Sequence, residues 1–167
     1  MKKEFLHNEL FLLSMQGAFQ RASVYKNKVS ETDKKYFKRM IKEYLNHLLE
    51  SYKNTVSEEE HVQNIVSLSE HTKVYGIFRN DKLNIGVSQK LLNLYLKYHW
   101  CLSTIEEPVH CPVDRIIQVR LNVKPLVAWT KIKTIEEYLL VINRLKSKLK
   151  ENQTIAYLEL ENFERNI

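Results

Sequence analysis

Apolar residues along this chain recur mostly at three- and four-residue intervals, the spacing that gathers side chains onto one face of an α-helix. The clearest stripe is Tyr36, Phe37, Met40, Ile41, Tyr44, Leu45, Leu48, Leu49 and Tyr52, which predicts a helix over 30–53 with Ser30 as its N-cap. Its other face carries Lys34, Lys35, Lys38, Arg39 and Lys42, a solvated outer surface with the charge to touch phosphates. Phe5, Leu6, Leu10, Leu13 and Ala18 predict a first helix over 3–26. Ser57 followed by Glu60 reads as a capping box opening a third helix through Val62, Ile65, Val66 and Leu68. The pattern lapses over 72–87, where Arg79, Asn80, Asp81 and Lys82 read as a polar turn, and resumes in a helix from near Ser88 to about Leu102.

After a connection over 103–111, Pro112 suits the first turn of a further helix, where its missing N–H costs nothing. Val119, Leu121 and Val123 alternate with Gln118, Arg120 and Asn122 as in a strand, while Ile116, Ile117, Arg120 and Leu121 fit a short helix equally well. Helix is the better choice, because a lone strand in a helical chain has nothing to pair with. Thr134 with Glu137 is a second capping box, ahead of Tyr138, Leu139, Val141, Ile142, Leu145 and Leu149, and a last helix follows over 153–165. The expectation is one all-α domain over 1–167, built from about seven helices.

Composition narrows the chemistry. The three glycines, Gly17, Gly76 and Gly86, stand far apart in 167 residues, so neither a P-loop nor a dinucleotide fingerprint can be written. No cofactor is implied. A formal charge of +6 favours a polyanionic partner, nucleic acid first among them. The N-terminus lacks the pattern of a secretory signal, and no apolar run approaches the roughly 20 residues that span a bilayer, so a soluble cytoplasmic protein with no membrane partner is expected. Cys101 and Cys111 are too few for a disulfide scaffold. With His99 and His110 they could form a four-ligand zinc set, but the spacing is unlike a zinc knuckle; the plainer reading makes Cys101 a buried apolar residue and His110-Cys111 part of a loop.

The informative stretch is Gly86-Val87-Ser88-Gln89-Lys90, followed further on by Cys111-Pro112-Val113-Asp114-Arg115-Ile116. A glycine turn opening a helix would aim free N–H groups at a phosphate, and a lysine in that helix's first turn would have its amine pKa lowered by the helix dipole. Over residues 83–123 the sequence resembles the helix-hairpin-helix DNA glycosylase superfamily, whose hairpin reads approximately Gly-hydrophobic-Gly-x-Lys and is followed by Val-Asp at a helix start. Gly86, Val87 and Lys90 match in register, as do Val113 and Asp114, while Ser88 replaces the second glycine and Arg115-Ile116 the usual Thr-His.

The resemblance implies an all-α fold with a helix-hairpin-helix-like motif and extrusion of a damaged or modified base from duplex DNA. It makes Lys90 the nucleophile at the sugar and Asp114 the catalytic carboxylate, with an apurinic-site lyase step following. Gly86, Val87, Ser88 and Gln89 would hold the nucleic-acid backbone, helped by Arg115 and Arg120, with Lys124 and Lys131 nearby. Tyr98, Trp100, Phe78 and Trp129 are candidates for stacking on the extruded base. Three plainer readings accompany this one: Asp114 as a helix cap and Lys90 as a surface lysine, a non-enzymatic nucleic-acid-binding module of hairpin type, and a helical protein-interaction factor using the 30–53 helix.

Overall fold

A computed structural model describes residues 1–163. Among these, seven α-helices are joined by loops and two single turns of 3-10 helix: α1 (Lys2–Phe19), α2 (Glu31–Ser51), α3 (Glu58–His71), α4 (Ile85–Cys101), α5 (Arg115–Arg120), α6 (Ile135–Lys146) and α7 (Ile155–Glu161), with the 3-10 turns at Thr72–Tyr75 and Trp129–Lys131. The all-α expectation therefore holds. No strand forms among the described residues; the only extended pairing there is an isolated bridge between Tyr25 and Phe78.

Local chemistry sets most boundaries. Ser30, Ser57, Asn84, Asp114, Thr134 and Thr154 each cap a helix by accepting a hydrogen bond from the backbone N–H three residues on, and Thr134 with Glu137 forms the complete capping box. The stripe on α2 buries Phe37, Ile41, Leu45, Leu48 and Leu49, whereas Tyr36 lies outside with Arg39 over its ring.

Four boundaries differ from the pattern. The first helix stops at Phe19 because Arg21 and Ser23 take left-handed φ values of 65° and 46°, turning the chain so that Val24–Lys26 can pair with 77–79. The last helix spans only Ile155–Glu161, and Arg165 lies outside the described residues. Pro112 precedes its helix rather than opening it: His110, Cys111, Pro112 and Val113 form a buried non-helical segment, and α5 starts at Arg115 under the Asp114 cap.

The fourth difference is the most consequential. α4 begins at Ile85, not near Ser88, because the Asn84 side chain accepts the Val87 N–H at 2.9 Å. Gly86 is thus inside the helix and makes no turn. Its missing side chain serves close approach instead: a Cβ there would lie 1.7 Å from the Trp129 carbonyl oxygen. The Trp129–Lys131 turn lies flat against the first turn of α4, with the Gly86 N–H bonded to the Ile132 carbonyl at 3.0 Å and the Asn84 amide to the Thr130 carbonyl at 2.9 Å.

α4 is the centre of the fold. Every residue from Ile85 to Lys97 is buried, and α1 crosses it closely enough that a Cβ on Gly17 would stand 2.7 Å from Leu94 Cδ1. The two glycines should differ in cost, since Leu94 can rotate away and a backbone carbonyl cannot. Gly86→Ala is expected to lower stability by about 3 kcal/mol or more, a Tm loss of roughly 6–12 °C for a domain of this size, and Gly17→Ala by about a third of that. Thermal unfolding followed by circular dichroism checks the ranking.

Candidate active site

The second turn of α4 places Lys90 at the wall of a cleft of about 840 Å³. The walls come from the C-terminal half of α1 (Leu13, Gln16, Gly17), from Gln20 and Arg21 just beyond it, from α4 (Lys90, Leu94, Tyr98), and from Asp114 with α5 (Arg115, Ile116, Val119, Arg120), closed by Trp129 and Phe163. Lys90 is only 6% exposed. Its Nζ stands 3.4 Å from Asp114 Oδ2 and 3.6 Å from the centroid of the Trp129 ring, so the ammonium rests on an aromatic face with a carboxylate beside it. Trp129 is held by its indole N–H, which donates to the Ala18 carbonyl at 3.3 Å.

Asp114 has two roles, one per oxygen. Oδ1 accepts the Ile117 N–H at 3.1 Å and caps α5, leaving Oδ2 to face Lys90. The helix cap expected of this residue is present, and its second oxygen is left to pair with Lys90.

Burial pushes the Lys90 amine below the usual lysine range, and the positive charge of Arg21 lowers it further, while the Asp114 charge and hydrogen bond pull it back up. The cause is thus desolvation, not the helix dipole expected from a first-turn position, because Lys90 lies one turn deeper. A dehydrated amine with a proton acceptor at hand is equipped to attack an electrophilic carbon.

The other candidate residues separate sharply. Gly86, Val87, Ser88 and Gln89 are all buried, and the N–H groups expected to hold a phosphate are taken: Gly86 by Ile132, Val87 by the Asn84 side chain, Ser88 by the Asn84 carbonyl. They have no face to offer a nucleic-acid backbone. Arg115 and Arg120 do line the cleft, and Arg120 Nη1 also donates to the Asn162 carbonyl. Lys124 and Lys131 are exposed but lie outside it.

Tyr98 and Trp129 are the cleft's aromatics from the expected set. Phe78 is core, 5.0 Å from Phe37 and 5.7 Å from Tyr25 between ring centroids, and Trp100 packs edge-on against Tyr157 away from the cleft. The basic residues on α2 do not reach the cleft.

Among the described residues no three His, Cys, Asp or Glu side chains group to hold a metal. His99 Nδ1 is bonded to Thr104 Oγ1 at 3.0 Å, Cys101 is exposed and not buried as expected, and Cys111 is buried with its thiol pushed well above the usual range. His110 is buried and joins a polar chain. Its Nε2 faces Glu58 at 3.0 Å and its Nδ1 the Tyr138 hydroxyl at 2.9 Å. Since a carboxylate only accepts, Nε2 carries the proton and the Tyr138 O–H donates to Nδ1.

Sequence reasoning missed the contribution of α1 and Arg21 altogether. The faint signal was Gly17, a glycine inside a helical pattern, which marks a close crossing. No known protein family, curated protein or solved structure matches the chain. The likeness to helix-hairpin-helix glycosylases consequently rests on the motif residues themselves.

Three expected outcomes follow from these charges and from burial. Asp114→Asn removes what raises the Lys90 pKa, so the midpoint read from the lysine Cε chemical shift falls; Arg21→Gln removes a cation, so it rises. For His110, burial lowers the folded-state pKa from 6.5 to about 4, so between these pH values the unfolded chain takes up the proton more readily. Stability contributed by the neutral ring is complete above pH 6.5 and is lost as pH falls towards 4, on the order of 3 kcal/mol in all. Denaturant titrations across that window should show the decline, with a shallower slope in His110→Gln.

Proposed function

We propose that the protein removes a base from DNA, with Lys90 as the nucleophile at the sugar and Asp114 as its proton partner. The observation that carries this reading is the convergence of Lys90 Nζ and Asp114 Oδ2, 3.4 Å apart, on one wall of an 840 Å³ cleft. That volume lies within the roughly 300–1,000 Å³ of small-molecule sites and accommodates an extruded nucleotide.

The surroundings suit the same substrate. Tyr98 and Phe163 line the cleft as rings for stacking, Trp129 lies beneath the Lys90 ammonium, and Lys90, Arg21, Arg115 and Arg120 line the cleft against the single carboxylate of Asp114. Such a site concentrates field on a polyanion and lets phosphates seat at the rim. The pair is also arranged for nucleophilic attack, since the amine is desolvated and Asp114 is anchored by its capping bond.

In the proposed reaction the neutral Lys90 amine bonds to C1′ as the bond from C1′ to the base breaks, and the electron pair leaves with the base, which takes up a proton. The nitrogen passes a proton to Asp114. The sugar ring oxygen then accepts a proton, the ring opens, and C1′ and Nζ are joined as a Schiff base. Elimination of the 3′ phosphate from that imine is the lyase step.

Borohydride reduces such an imine to a stable amine, so a covalent protein–DNA adduct should be trapped on a duplex carrying the right base or an abasic site. Lys90→Ala should lose the adduct while keeping the fold, and Asp114→Asn should slow its formation about a hundredfold or more. Tight, salt-sensitive duplex binding with no trapping and no released base across a panel of damaged and hypermodified bases would instead identify a non-enzymatic nucleic-acid-binding module. Absence of binding at low salt would point to the protein-interaction reading.

A further inference from the structure

The neighbours of the Lys90–Asp114 pair are themselves bonded together. Gln89 precedes Lys90 and Val113 precedes Asp114, and the Gln89 side chain takes both backbone groups of Val113: Nε2 donates to the Val113 carbonyl at 2.9 Å, and Oε1 accepts the Val113 N–H at 3.1 Å. The amide's remaining capacity is also used. Its second N–H donates to the Gly86 carbonyl at 3.0 Å, and Oε1 accepts from Asn93 Nδ2 at 3.2 Å. Two donors and two acceptor sites are all that a glutamine amide has, and this one, fully buried, is saturated.

The segment it grips has little else to set its register. Among the described residues, 107–113 make no backbone-to-backbone hydrogen bond. Side chains hold it instead, at His110 through Glu58 and Tyr138 and at Val113 through Gln89; the next residue, Asp114, has its carbonyl bonded by Gln118 Nε2 at 2.8 Å. Two parallel bonds from one rigid planar amide fix both the translation and the rotation of Val113, as a pair of ladder bonds would between strands.

We propose that Gln89 is the positioning residue of the site: its pair of hydrogen bonds to Val113 sets the register of the 110–114 segment against α4 and thereby brings the Asp114 carboxylate to Lys90. The consequence for catalysis rests on the proposed glycosylase reading, whereas the geometry of the pair does not. Other residues cannot substitute. Glutamate would set lone pairs against the Val113 and Gly86 carbonyls, and methionine would fill the space but leave the buried Val113 N–H unpaired.

The test compares Lys90 titration, by its Cε chemical shift, in the wild type, Asp114→Asn, Gln89→Met and the double variant. Lys90 is set by Asp114, which raises its pKa, and by burial and Arg21, which lower it, so the effect of Asp114→Asn reports how closely the carboxylate is held. With Gln89 present, Asp114→Asn should lower the midpoint. In the Gln89→Met background the same substitution should have almost no effect; a shift of the wild-type size would overturn the proposal.

This measurement needs no DNA, so its outcome holds even where no duplex is ever trapped. If trapping occurs, Gln89→Met should slow it about a hundredfold at unchanged duplex affinity, the loss expected from displacing a reacting group by about 1 Å. An unchanged rate would count against the positioning role alone. Should Gln89→Met fail to fold, hydrogen exchange on the native protein decides: the Val113 amide and the Gln89 side-chain amide should be protected together, and rapid exchange at either would sink the idea.

Discussion

Burying α4 continuously from Ile85 to Lys97 imposes a demand that organises the rest of the molecule. A wholly apolar helix would ask only for apolar neighbours, but α4 carries Gln89, Lys90, Asn93, Lys97 and His99 into the interior. A buried polar group without a partner costs about 1–3 kcal/mol, and a charge more, so each of these side chains requires a specific counterpart. Each finds one outside α4, Gln89 and Lys90 in the same 110–114 segment and the others in separate elements. Gln89 takes Val113, Lys90 takes Asp114, Asn93 takes the Tyr138 hydroxyl on α6 at 3.1 Å, Lys97 takes Glu159 on α7 at 2.9 Å, and His99 takes Thr104 in the turn beyond the helix. The C-terminal half of the protein is docked, element by element, onto polar positions of one central helix.

Such partners contribute more to uniqueness than to net stability, since an ion pair like Lys97–Glu159 gives back in desolvation much of what it gains in attraction. Apolar packing supplies the bulk of the driving force, with Leu91, Leu92, Tyr95 and Leu96 fully buried beside the polar set. Specificity is what a site needs. A cleft whose lysine and aspartate come from segments far apart in sequence works only when those segments are held in one register, and directional bonds do this better than interchangeable methyl groups. Gly86 assists in the same way, by letting the backbone at Trp129 approach until its ring lies under the Lys90 ammonium.

The desolvation that sets the chemistry of Lys90 is a by-product of this architecture. Its amine is depressed because α4 is central, and it is kept from being an orphan charge because Asp114 has one oxygen left after capping α5. The cap of α5 and the carboxylate beside Lys90 are thus one residue, which couples the start of α5 to the cleft. Arg115 and Arg120 follow on that short helix and reach the same cleft as α1, so the positive rim is assembled by the placement that orients the carboxylate.

How much of this is legible in the residue order depends on the range of the forces involved. Helices α2, α3 and α6 are written locally, in the spacing of Phe37, Ile41 and Leu45 and in the caps Ser30, Ser57 and Thr134, because a cap and its N–H are three residues apart and a stripe recurs every turn. Lys90 and Asp114 were likewise visible as chemistry-bearing residues near helix starts. Gly86 misled, because a glycine chosen for close approach looks the same in sequence as one chosen for a turn, and only the Trp129 carbonyl distinguishes them. Gln16, Gln20 and Arg21 are ordinary polar positions within the helix expected over 3–26 until α1 crosses α4 at Gly17. The sequence by itself determined the all-helical class, the caps at Ser30, Ser57 and Thr134, and the basic charge. Only the tertiary structure decided that Gln89 bonds Val113, that Lys90 loses its water, and that five separate segments share a cleft, since hydrogen bonds between residues far apart in the chain leave no periodic trace along it.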